Sequence, residues 1–226
     1  MKLELYFAPG ACSRVPMIAL EEVGQPFETH LVSFMKGEHK SPEYLELNPA
    51  GKVPLLVADG QPIAQNPAIQ TFLARAFPEA GLLPFTGESL AEARILAQLA
   101  WFSADLHPLV TRIRIPQFIS DATPERVKEI ALAAMAQQLA PLERRLQRQD
   151  WVLGEIWSSV DAYLYWVWFR ITGAGFDAAP FPNIAAHHAR MDARPAVQRA
   201  LAREAEAQAD LEARGLAFAF PPSGGR

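Results

Sequence analysis

Apolar Leu3, Leu5 and Phe7 alternate with Glu4 and Tyr6 at the start of the chain, the two-residue period of a half-buried strand. After a Pro-Gly turn, Ile18, Ala19 and Val23 recur at helical spacing, and Pro16 is tolerable only in a first turn. The pattern predicts a helix opened by Cys12 at the end of a strand. "FETHLVSF" is the next strand expected, and "SPEYLEL" a short helix with Ser41 as N-cap and Pro42 in its first position. "VPLLVADGQPIAQ" reads as two strands around an Asp-Gly turn. "NPAIQTFLARAF" reads as a helix capped by Asn66, with Pro67 in the first turn and Ile69, Phe72, Leu73 and Ala76 on one face.

Beyond "PEAGLLPFTGES" the period changes to three and four residues. Leu96, Leu99, Phe102, Leu106, Leu109 and Ile113 make one stripe, which Pro108 is expected to kink and Pro116 to end. Thr123 caps a second helix with Pro124 in its first position; Val127, Ile130, Ala134, Leu139, Leu142 and Leu146 are its expected buried face. "SSVD" is the capping box of a third, pairing Ser158 with Asp161 ahead of a face of Tyr163, Leu164, Val167, Trp168 and Ile171. The aromatic run "YLYWVWF" suits packing better than a cofactor box, and "FPPSGGR" reads as a frayed tail. The expectation is an α/β, thioredoxin-like N-terminal domain over residues 1–80, a linker over 81–87, and an all-α C-terminal domain over 88–226.

Of 226 residues half are hydrophobic and a fifth charged, and the net charge is −4, so no nucleic-acid partner is expected. An h-region and an 18-residue apolar run are both missing, so the expectation is a cytoplasmic chain with no membrane partner. One cysteine allows no internal disulfide, no CxxC pair and no cysteine-rich zinc site, and the adjacent His187 and His188 lack the spacing of metal ligands; no metal is expected. A lone Cys is commonly a small buried hydrophobe. At a helix start, however, unpaired N–H groups and the dipole favour a thiolate, so Cys12 is expected to titrate below the free value of about 8.5.

"PGACSRVPMIALEE", "NPAGKVPLL", "AQNPAIQTFLA" and "SSVDAYL", in this order, resemble the bacterial glutathione transferases, most closely the beta class, whose sulfur-bearing residue is a cysteine. The resemblance covers nearly the whole chain. It implies a detoxification enzyme that takes glutathione as co-substrate and a hydrophobic electrophile or a disulfide as second substrate, and that forms a homodimer. It implies a cis bond at Val53–Pro54 that leaves the backbone beside it free to pair with glutathione. Gln65 and Asn66, at a helix start, would meet the γ-glutamyl carboxylate, although Asn66 departs from the usual Ser. Lys36 would meet the glycine carboxylate, and His107 would face Cys12 across the cleft and hold its thiolate. Pro108 stands where relatives carry a Lys, which removes one cationic contact. Ser13 and Tyr6 complete the candidate glutathione set, Ser13 as a fallback donor. Arg112 and Arg114, near the cleft, either meet an acidic co-substrate or form a solvated face.

Two chemistries fit a lone cysteine. In conjugation the bound glutathione thiolate attacks an electrophilic carbon and Cys12 assists; in monothiol exchange Cys12 itself attacks and forms a mixed disulfide that a second glutathione resolves. A non-catalytic ligand-binding or regulatory protein on the same scaffold is the rival reading.

Overall fold

A computed structural model describes residues 1–217; the expected frayed tail at 220–226 lies outside the described residues. Four strands form one mixed sheet in the order β2-β1-β3-β4. Strand β1 (Leu3–Phe7) pairs parallel with β2 (Glu28–Leu31) and antiparallel with β3 (Leu55–Ala58), which pairs with β4 (Gln61–Ala64). β2 is shorter than its sequence pattern. Val32 still donates to the Phe7 carbonyl, but the Glu38 carboxylate takes the Ser33 amide at 2.7 Å and turns the chain away. Asp59 and Gly60 both adopt positive φ, the backbone that closes the expected two-residue hairpin.

The alternation in β1 sends Leu3, Leu5 and Phe7 to one face, under α1 (Arg14–Val23) and α3 (Asn66–Ala76). Tyr6 goes to the other face, with Tyr44 of α2 (Pro42–Leu47), Val53, Leu55 and Val57. Ser41 caps α2 as expected, its hydroxyl accepting from the Tyr44 amide at 3.2 Å.

Six helices follow: α4 (Ser89–Trp101), α5 (His107–Arg114), α6 (Pro124–Leu146), α7 (Ser159–Thr172), α8 (Pro182–Asp192) and α9 (Pro195–Ala213). The chain thus pairs a thioredoxin-like α/β domain with a helical one. Pro108 acts one turn earlier than a kink at its own position. The five residues Phe102–Leu106 widen into a π-helical turn, in which the His107 amide reaches back to the Phe102 carbonyl. A proline lacks the N–H of the helical ladder and crowds the carbonyl four residues back, and the wider turn relieves both. On α6 the buried face is Ala131, Met135, Leu139, Leu142 and Leu146, whereas Ile130 is 55 % exposed; the first half of the expected stripe is displaced by one residue. α7 is buried almost all round because it packs against α1 as well as against α5 and α8.

The Ser158–Asp161 capping box is present, and it does more than close a helix. Oδ2 of Asp161 accepts from the Ser158 amide and hydroxyl, both at 2.9 Å, while Oδ1 accepts from the Val152 amide at 2.7 Å and meets Nε2 of His187 at 2.9 Å. His187 is thereby a fully buried structural residue. The two domains are pinned together by Arg14 of α1 and Glu204 of α9, both buried, with Nη2 2.5 Å from Oε2; the same oxygen accepts from the Gly10 amide at 3.2 Å. Among the described residues no helix is long and apolar enough to cross a membrane.

Candidate active site

Cys12 sits in the turn between β1 and α1, one residue outside the position the sequence suggests: Ser13 occupies the N-cap place and the helix starts at Arg14. The first helical amides are already engaged, Arg14 with the Ala11 carbonyl at 3.1 Å and Val15 with that of Cys12 at 3.2 Å. Ser13 is turned inward, its hydroxyl bonded to both the amide and the carbonyl of Ala8 at 3.2 Å, and so braces the turn instead of facing the cleft. The Cys12 thiol is buried and its Sγ donates to the Val53 carbonyl at 3.5 Å. Burial pushes this thiol up to about 12, against the opposing pull of its own amide, Arg170, Lys52 and Asn66. The expected low pKa is therefore corrected: desolvation of the charged form outweighs the helix start, whose amides are directed at carbonyls.

Val53 presents that carbonyl because the loop before it is fixed. The Tyr44 hydroxyl and the Asn48 side-chain amide both donate to the Lys52 carbonyl, at 2.8 and 2.7 Å. Gly51, with φ of 58°, passes so close to His39 that a Cβ would lie 2.7 Å from its carbonyl oxygen. The Val53–Pro54 bond is cis.

At the start of α3 the cap position belongs to Gln65, not Asn66. Gln65 has φ of 74°, a left-handed value that non-glycine residues rarely adopt, and makes no side-chain cap bond. Asn66 is the first helical residue and points inward. Its Nδ2 donates to the Cys12 carbonyl at 3.2 Å, while its buried Oδ1 has no hydrogen-bond partner.

The opposite wall comes from the helical domain. Nδ1 of His107 lies 2.9 Å from the hydroxyl of Tyr163, and its ring stands edge-on to Trp166 with centroids 4.6 Å apart. Burial, and then the charges of Lys52 and Arg170, lower His107 to about 4, so at neutral pH it is an uncharged imidazole. Burial likewise lowers Arg170 to about 10, with Arg114 and Arg14 adding repulsion. Cys12 and His107 thus share one electrostatic environment, although among the described residues no hydrogen bond joins them.

Two further expected members lie elsewhere. Lys36 is exposed and 3.9 Å from Glu38. Tyr6 is stacked on His30 at 4.5 Å and packed against Tyr44, on the sheet face away from α1. Arg112 is exposed, and Arg114 donates to the Gly173 carbonyl at 3.2 Å. Sequence reasoning passed over Lys52, Tyr163, Trp166 and Arg170 as site residues. A signal existed: Lys52 directly precedes Val53–Pro54, and Tyr163, Trp166 and Arg170 stand at i, i+3 and i+7 on one helix face. Glu4, Glu28 and His30 also bring possible ligand atoms within 4.8 Å of one another, but Lys2 already neutralises that group, 3.0 Å from Glu4 and 3.6 Å from Glu28.

Residues 1–75 match the glutathione S-transferase N-terminal domain and residues 98–195 the glutathione S-transferase C-terminal domain. The chain belongs to the glutathione S-transferase family. It is 35 % identical over 204 residues to glutathione S-transferase GST-4.5 of Xanthomonas campestris, covering 89 % of this chain and 98 % of that protein. Among solved structures it is similar to a sphingomonad glutathione S-transferase complexed with glutathione, at 33 % identity and a TM-score of 0.80, over 89 % of this chain and 98 % of that one. The bacterial beta-class enzyme of Sphingomonas chungbukensis is similar at 30 % identity and a TM-score of 0.79, again over 89 % and 98 %. As a member of a transferase family, this glutathione S-transferase carries Cys12 in the turn before α1 of its thioredoxin-like domain and His107 on the facing helical wall.

Proposed function

We propose that this transferase binds glutathione between Cys12, Val53 and the start of α3 and transfers its sulfur to an electrophilic carbon. The observation that carries the reading is the contact of Cys12 with Val53: a thiol S–H aimed at a backbone carbonyl beside which an extended peptide can pair. An incoming cysteinyl amide takes the Val53 carbonyl and releases the Cys12 S–H, which then donates to the glutathione sulfur and favours its thiolate. That thiolate attacks carbon, the new C–S bond forms, and the leaving group departs with the bonding pair. His107, uncharged and engaged at Nδ1 by Tyr163, can meet the glutathione sulfur by a hydrogen bond at Nε2, while the thiol proton leaves to solvent.

The first turn of α3 takes the γ-glutamyl end. Its backbone and Gln65 attract the carboxylate, and the unpaired Oδ1 of Asn66 accepts from the ammonium. Lys52, close enough to act on both Cys12 and His107, is better placed than Lys36 for a glutathione carboxylate. Exposed Phe34 and Met35 support the expected homodimer, which sedimentation would show as a doubled mass.

The test joins calorimetry with Cys12→Ala. Glutathione is expected to bind the wild type, and the variant to keep part of its conjugating activity while losing exchange with a glutathione mixed disulfide. Complete loss of conjugation would make Cys12 the nucleophile and monothiol exchange the reaction, with an adduct of one glutathione visible by intact mass. Absence of glutathione binding would reject the reading.

A further inference from the structure

The helical wall of the cleft carries a cation, Arg170, with which no carboxylate among the described residues pairs directly. Arg170 lies against the turn that leads to Cys12, its Nη1 3.3 Å from the point where a Cβ on Gly10 would stand. Gly10 has φ of 69°, and its carbonyl accepts from the Trp166 indole at 3.1 Å, so the turn and the α7 face are in direct contact. The Nε of Arg170 is buried without a hydrogen-bond partner, and among the described residues the side chain makes no hydrogen bond and no ion pair. Arg14, nearby, shows the usual solution: its Nε and Nη2 both donate to Glu204, at 3.0 and 2.5 Å.

The surroundings add charge of the same sign. Arg114 and Arg14 repel Arg170, Glu204 attracts it without coming within ion-pair distance, and both Cys12 and His107 feel the charge of Arg170 together with that of Lys52. A half-buried cation whose hydrogen-bond donors find no carboxylate in direct contact is suited to an anion supplied by a bound molecule. A guanidinium is a planar fork suited to a carboxylate. In the reading proposed above, glutathione's own carboxylates find partners on the other domain, at the start of α3 and at Lys52, whereas Arg170 belongs to the helical wall.

We propose that Arg170 is the recognition group for a carboxylate on the second substrate, which makes this transferase selective for acidic electrophiles. The proposal rests on the glutathione-conjugation reading and names its substrate class. The electrophile docks with its carboxylate on Arg170 and its reactive carbon toward the glutathione sulfur; with an aryl chloride, the C–S bond forms and chloride leaves with the C–Cl pair.

Two electrophiles that differ at one group test this: a chloronitrobenzoate, with chloride para to the carboxylate and nitro ortho to the chloride, and the matching benzamide. The ratio of their kcat/KM values is expected to favour the acid in the wild type and to fall by about tenfold or more in Arg170→Met and Arg170→Gln, mainly through KM of the acid. Arg170→Lys should restore the ratio only in part, since an ammonium lacks the fork. Thermal stability should change little, because Glu204 keeps Arg14 as its direct partner when Arg170 is replaced. An unchanged ratio overturns the proposal, and so does a glutathione affinity that falls with it, which would assign Arg170 to glutathione. Should the variants fail to fold, wild-type inhibition decides: nitrobenzoate must compete better than nitrobenzamide, and equal inhibition overturns the assignment. If glutathione itself does not bind, the conjugation reading fails, and calorimetry with nitrobenzoate alone still judges Arg170.

Discussion

The hydroxyl of Tyr163 stands 2.9 Å from Nδ1 of His107 and joins a helix buried almost all round to the imidazole on the cleft wall. Because Tyr163 is itself locked by its neighbours, stacked on Phe102 at 5.4 Å, it fixes the imidazole through Nδ1 and leaves Nε2 unengaged by this bond. Tyr163→Phe should therefore lower kcat by roughly threefold to tenfold, the worth of about one hydrogen bond. In a His107→Asn background the same change should cost nothing further. Additive losses would show that Tyr163 acts through packing alone.

Cys12 in the protein without ligand is expected to react slowly with iodoacetamide until well above pH 9, because burial raises its thiol to about 12. Unfolded chains lose this proton near pH 8.5, so between there and about pH 12 the unfolded state binds fewer protons and stability falls as pH rises. Cys12→Ala should show a flatter Tm across that window. An alkylation midpoint below about 8.5 would contradict the burial argument.

His107 has the opposite sign. Its pKa falls from 6.5 to about 4 on folding, so as pH drops through that interval the unfolded state takes up a proton that the folded state refuses. Wild-type Tm should decline between pH 6.5 and 4 more steeply than that of His107→Gln, and the difference should level off below pH 4. Parallel curves would mean that the imidazole is already charged in the fold.

Gln65 holds a left-handed backbone that glycine adopts freely, φ being 74°. Gln65→Gly should remove strain of about 1–3 kcal/mol and lose a little of that gain to the entropy of the unfolded chain, leaving Tm level or raised. Glutathione affinity should nevertheless fall, because the side chain beside the α3 start is gone. Unchanged affinity, measured by calorimetry, would move the γ-glutamyl contact away from Gln65.

Local signals were readable in the sequence and tertiary ones were not. The Asp59–Gly60 hairpin, the Ser41 cap and the Ser158–Asp161 box each depend on residues within a few positions, and all three form. Asn66 looks like a cap because asparagine is a good one, but the turn from β4 brings it inward to Cys12 and leaves Gln65 in the cap place. The α6 stripe is displaced because alanine-rich turns mark a face weakly, so that Ala131 and Met135 and not Ile130 meet the core. The state of Cys12 depends on Val53, forty-one residues away, and that of His107 on Tyr163, fifty-six away. Such pairs carry no periodicity, and Lys52 and Arg170 enter the site by the same route.

The carboxylate of Glu204 holds the turn before Cys12 from 190 residues away in the chain, through Arg14 and the Gly10 amide. During synthesis, the first domain therefore leaves the ribosome long before its partner does. Until α9 emerges, Arg14 has no counter-charge and the Gly10 turn has no anchor, so a nascent or truncated chain holds a sheet and helices with an unfinished cysteine loop. Assembly of the reactive centre becomes a late, long-range event, and the thiol is set in place only once α9 has been made.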